Sequence, residues 1–172
     1  VQGSGSANDQ LTIQSNISSA LTLDETSPTI GLVTGVGSTT DPGQIAFSGM
    51  ATLVVAQSDT DASSLTINNT VTRTIANSGG GGHQIAVNHA ANEITLNLGA
   101  DDDAVVRDAG AAVSVIGGAT NTLTLDLSAT TQALNARILD GPTPGSSALL
   151  RGFLLSGGDV NVSNVGKVTV DE

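Results

Sequence analysis

Aliphatic residues alternate with Thr, Asn or Ser along almost the whole chain. The clearest runs are Leu11-Thr-Ile13, Leu21-Thr-Leu23, Leu65-Thr-Ile67, Ile85-Ala-Val87 and Ile94-Thr-Leu96-Asn-Leu98. Further along come Val113-Ser-Val115, Leu123-Thr-Leu125-Asp-Leu127, Val160-Asn-Val162 and Val168-Thr-Val170. Successive side chains of an extended strand point to opposite faces, so each run has one face for a core and one for water. Thr suits the wet face because its branched Cβ sits well on a pleated surface.

Glycine-rich or proline-rich turns separate the runs: Asp41-Pro-Gly43, Asn77 to Gly82, Gly117-Gly118, Asp140-Gly-Pro-Thr-Pro-Gly145 and Gly157-Gly158-Asp159. About ten short strands with such turns predict an all-β fold of immunoglobulin-like or jelly-roll type, with a β-solenoid as the alternative. Because each strand keeps one polar face, antiparallel pairing is expected. The uneven strand spacing, with no fixed repeat period, favours the sandwich over the solenoid. The stretch from Ala129 to Leu139 departs from alternation and reads as a short helix or a crossover between sheets. No shift in composition marks a boundary, so a single domain over residues 21–172 is expected, preceded by an arm over residues 1–20.

Only two of the 172 residues are aromatic, Phe47 and Phe153, and Trp, Tyr and Cys are absent. The core must therefore be built from Val, Ile, Leu and Ala, with the two phenylalanines as plugs. Aromatic stacking platforms for sugars and bases are missing. The lack of Cys excludes disulfides, iron–sulfur clusters and a thiol nucleophile. Five cations, Arg73, Arg107, Arg137, Arg151 and Lys167, are scattered in a chain of net charge −11. They form no basic patch for phosphates, which argues against nucleic acid and anionic membrane surfaces as partners. No apolar run is long enough to span a bilayer. A Thr/Ser/Asn/Gly-rich acidic chain that opens without Met reads as an exported, processed surface protein.

Two clusters could carry chemistry. Asp101, Asp102 and Asp103 follow a strand at a turn, and a run of hard oxygens there could hold Ca²⁺, with Asp108 or backbone carbonyls completing the shell. The plainer reading is a solvated acidic turn. His83 and His89, six residues apart, could form part of a zinc site, although the plainer reading makes them a glycine-flanked surface residue and a strand-end residue. No Gly-x-Ser-x-Gly elbow and no phosphate loop occurs, so the chain is not read as an enzyme.

The run Asn135-Ala-Arg-Ile-Leu-Asp-Gly-Pro-Thr-Pro-Gly145, with the Ala/Thr/Val/Ser/Gly texture around it, resembles the late strand of bacterial fimbrial subunits. The resemblance implies an incomplete sandwich completed by a neighbour's N-terminal strand. Leu11, Ile13 and Ile17 would then be the interface residues of that donor strand, filling successive pockets of the next subunit. The cysteine pair of many pilins is missing here, as is an aromatic near the C-terminus. The reading from sequence is thus a structural subunit of an extracellular homopolymer: a pilus, filament or surface layer. The alternative is a calcium-stabilised adhesion or carbohydrate-binding module.

Overall fold

The computed structural model describes residues 1–15, 20–37, 40, 42–57, 62–129, 136–140 (backbone alone at Asp140) and 147–172. Among these residues there are sixteen strands and no helix. In chain order they are β1 (Gln10–Ser15), β2 (Ala20–Ser27), β3 (Ile30–Gly37), β4 (Pro42–Phe47), β5 (Thr52–Gln57), β6 (Ser64–Asn69), β7 (Arg73–Ser78) and β8 (Gln84–Val87). The second half holds β9 (Ile94–Asn97), β10 (Asp103–Val106), β11 (Val113–Ile116), β12 (Thr122–Asp126), β13 (Arg137–Asp140), β14 (Ser147–Arg151), β15 (Val160–Ser163) and β16 (Lys167–Asp171).

The all-β expectation holds, and the strands form two sheets of eight. The expected antiparallel pairing does not hold. Sheet I runs β1-β5-β7-β9-β11-β15-β14-β13 and sheet II runs β16-β12-β10-β8-β6-β2-β3-β4. From β1 to β15 in sheet I, and from β2 to β16 in sheet II, every neighbour is parallel. Consecutive coil strands alternate between the sheets, so the chain winds as a flat coil, the solenoid alternative, and not as a Greek-key sandwich.

Through the middle of the coil, equivalent positions recur every 19 to 21 residues: Thr52 lies beside Arg73, Ser64 beside Gln84, Gln84 beside Asp103 and Asp103 beside Thr122. Parallel sheets in which both faces are covered lose their alternation. A coil covers only the inner faces, so its parallel strands keep a wet side. That is why the pattern was misread as antiparallel.

The inward positions stack into aliphatic columns. Leu21, Leu65, Ile85, Ala104, Leu123 and Val168 line one column of sheet II, and Leu23, Ile67, Val87, Val106, Leu125 and Val170 the next. Sheet I contributes Ile13, Val55, Ala76, Leu96, Val115 and Val162. All of these except Val168 and Val170 are buried, and together they form one core cluster. Outside, polar side chains form ladders between neighbouring strands. Asn97 donates to Asn77 (2.7 Å), Asn88 donates to Asn68 (2.9 Å), and Arg107 joins Asn88 (2.9 Å) to Asp126 (3.0 Å).

Two antiparallel hairpins interrupt the coil, one at each end and on opposite sheets. β3–β4 extends sheet II beyond β2, and β13–β14 extends sheet I beyond β15. The stretch expected to be a helix or crossover is instead strand β13 over Arg137–Asp140, because Ile138 and Leu139 pair with Leu150 and Leu149. Its earlier part, residues 130–135, lies outside the described residues. Phe47 and Phe153 are buried, as expected of plugs, and each belongs to one of the two ends.

Candidate functional site

Two corners of the coil and its two ends hold the notable polar and apolar groups. At one corner a buried polar column rises through successive coils at 19-residue spacing: His83, Asp102 and Asn121 are each at most 1 % exposed. The Nδ1 of His83 accepts the Ser63 N–H (3.2 Å) and lies 2.7 Å from Ser63 Oγ. Asp102 Oδ1 accepts the His83 N–H (2.7 Å), while Oδ2 accepts the Gly99 N–H (2.7 Å) and the Ser78 hydroxyl. Asn121 Nδ2 donates to the carbonyls of Gly99 (2.5 Å) and Asp102 (3.2 Å), and its Oδ1 accepts the Gly118 N–H. These side chains satisfy the backbone where the chain turns from sheet I to sheet II, as buried polar groups must be satisfied. Gly99 is required there: a Cβ would sit 1.6 Å from the Gly79 carbonyl oxygen.

This geometry bears on the residues singled out in the sequence. Asp102 points into the corner, while Asp101 and Asp103 are exposed. Among the described residues no three His, Cys, Asp or Glu side chains converge as a metal site. His83 is buried, contrary to the surface position expected of it, and His89 lies elsewhere, its Nδ1 3.0 Å from Asp108 Oδ2. The His83 column was missed because the corner positions carry different residue types in each coil.

At the opposite corner Asp108 ties down the loop that follows β14. Its Oδ1 accepts the Ser156 N–H (2.9 Å), and its Oδ2 accepts the Ser156 hydroxyl (2.5 Å). Burial raises the carboxyl's pKa, but the Ser156 hydroxyl, the Ser156 N–H and His89 outweigh it and hold Asp108 below the ordinary aspartate value. Ser156 and His89 both bond this one carboxylate, an arrangement that anchors a loop and does not activate a nucleophile.

The leading end, built from β1–β4, is closed. Glu25 is 1 % exposed, and its carboxylate takes the N–H groups of Val71 (3.0 Å) and Thr72 (2.8 Å) and the hydroxyls of Thr70 (3.2 Å) and Thr72 (2.6 Å). Phe47 lies over Gly31. The arm lies along the end of β4: the Val1 ammonium donates to Ala46 O (2.6 Å), Ser48 N–H to Val1 O (3.0 Å), and Gly3 N–H to Ser48 O (2.8 Å). A cleft of about 350 Å³ remains between the arm and β3, lined by Val1, Ile30 and Phe47 among others.

Of the expected donor-strand residues, Leu11 and Ile13 lie in β1, which pairs along its whole length with β5 of the same chain. Ile13 is 3 % exposed in the chain's own core, and Ile17 lies outside the described residues. Most of the run 135–145 that resembles fimbrial subunits also lies outside them.

The trailing end differs. β16 and β13 are the last strands of sheets II and I. Register places Val168 and Ile138 at inward positions, opposite buried Leu123 and Leu150. Yet Val168 is 40 % exposed and Ile138 66 % exposed. The core columns are thus least covered at this end, on strands whose outer edges pair with no other described strand. An unpaired edge beside apolar side chains can accept another strand. Comparisons with known protein families, with characterised proteins and with solved structures return no match.

Proposed function

We propose that this protein is a structural subunit of an extracellular assembly, joined to its neighbours by β-strand addition at the trailing end of the coil. The observation that carries this reading is the exposure of Val168 and Ile138 at inward positions of two unpaired edge strands. The expectation of a strand-adding subunit is kept, but the site of addition moves. β1, β13 and β16 each have one partner strand within the chain, but Ile13 of β1 is buried in the chain's own core, so the joint is assigned to β13 and β16, whose inward residues are exposed. The hydroxyl-rich outer faces offer hydrogen-bonding contacts between copies, and salt screens the repulsion that a net charge of −11 imposes. The same Thr/Ser/Asn/Gly-rich composition supports a place outside the cell, on a surface or in a filament.

Sedimentation velocity and electron microscopy of the purified protein test the reading. Wild type is expected to form particles larger than a monomer. Val168→Asp with Ile138→Asp is expected to leave folded monomers. Wild-type protein that stays monomeric at tens of micromolar would overturn the proposal.

A further inference from the structure

We infer that the trailing end receives the trailing end of a second copy, related by a two-fold axis; this rests on the strand-addition reading above. The argument begins with the shape of the end. Sheet II stops at β16, level with β15, while sheet I continues through β14 to β13. The end is therefore a step two strands deep, about 10 Å at the ordinary strand spacing.

Strand direction comes next. Arcs of three to six residues join the coil strands between residues 64 and 126. Such arcs can only reverse the chain, so sheets I and II run in opposite directions. β13 is antiparallel to β14, which is antiparallel to β15, so β13 runs with β15 and against β16.

A half-turn about an axis along the strands, midway between the sheets, exchanges the two sheets and keeps strand direction. It sets β16 of the second copy beside β13, antiparallel, and repeats the same contact in the other sheet. Each copy's β13–β14 hairpin then fills the other's step. The joint is self-complementary and closes on a pair, as a two-fold interface does.

The side chains favour this pairing. Inward residues must meet inward residues, and the register with Ile138 opposite Val170 sets Arg137 opposite Asp171 at outer positions and Asp140 opposite Val168 at inner ones. Arg137 and Asp171 are both exposed, and opposite charges directly across a strand pair stabilise it. The leading end fits the same occupant poorly. Pro42 in β4 has no N–H to offer, and the arm already holds the β4 edge from Ala46 onward. A longer polymer would need a separate contact at that end.

The chain has no cysteine, which permits a direct test. Arg137→Cys and Asp171→Cys chains, mixed under mild oxidation, are expected to form a disulfide-linked dimer, while either chain alone forms little. The mixed pair retains one intact Arg137–Asp171 contact. In solution, Arg137→Asp is expected to weaken self-association about tenfold, and Arg137→Asp with Asp171→Arg to recover most of it. Circular dichroism checks that each variant keeps its β signal.

Cross-linking of Arg137→Cys with Gln10→Cys in place of Asp171→Cys would mean head-to-tail stacking and overturn the two-fold joint. Wild type that self-associates without either cross-link would overturn it too, while leaving strand addition standing. Wild type that is monomeric would overturn both.

Discussion

The two ends of this coil are made from the same kinds of strand, yet their inward residues are covered to different degrees. At the leading end one inward residue of each edge strand is fully covered, Ile13 in β1 and Phe47 in β4 at 3 % exposed each, while the inward Leu11 and Ile45 beside them are partly buried. At the trailing end the equivalent residues, Ile138 and Val168, face solvent. The difference arises from what each end adds to the coil. The leading end has a buried carboxylate that gathers four donors, a phenylalanine and an arm along its edge. The trailing end has its own hairpin, the buried Phe153 and a loop anchored by Asp108, yet leaves Ile138 and Val168 uncovered. A repeated coil propagates its core cheaply, but each terminus needs a dedicated device to end it.

Substitutions can break this comparison, the largest effects being expected at the leading end. Phe47→Ala removes the aromatic lid and is expected to cost about 3–5 kcal/mol, read as a lowered denaturant midpoint. Glu25→Ala leaves the donors of residues 70–72 unmet. It is expected to cost roughly 3 kcal/mol, which for a chain of this size lowers Tm by about 6–12 °C. A neutral result for either would mean that the leading end is not closed as described.

Smaller effects belong to the trailing end. Asp108→Asn weakens the anchor of the 152–158 loop and is expected to cost about 1–2 kcal/mol. The pH dependence follows from the lowered pKa of Asp108. Its contribution is fully present above the unfolded aspartate value near 3.8, and is lost as pH falls through the lower folded value. Acid titration of that loop's amide signals by NMR should show release only below about pH 4. Ile138→Ala should change monomer stability by less than about 0.5 kcal/mol, because a side chain already in water has little burial to lose. A large loss of monomer stability there would show that the trailing end is covered after all.

Much of the fold is legible in the sequence. The alternating runs became β1, β2, β6, β8, β9, β11, β12, β15 and β16, because alternation reports directly which face of a strand is wet. It does not report which strand lies alongside. Ile85, Ala104 and Leu123 do recur at 19 residues, but the β3–β4 and β13–β14 hairpins break the period on both sides. The polar column was hidden for a related reason: His83, Asp102 and Asn121 occupy one structural position with three different chemistries. At the candidate site, strand addition is what the resemblance of residues 135–145 to fimbrial subunits implies, with the alternating Leu11 and Ile13 as its donor residues. Val168 and Val170 alternate in the same way, and only packing in the folded chain shows that Ile13 is covered while Val168 is exposed.

The most direct test of an unfinished trailing end is amide hydrogen exchange, resolved by strand, at low and high protein concentration. Amides of β13 and β16 should gain protection as concentration rises, while those of β1 and β4 stay unchanged. Protection that does not vary with concentration at β13 and β16, or that appears instead at β1 and β4, would contradict the account.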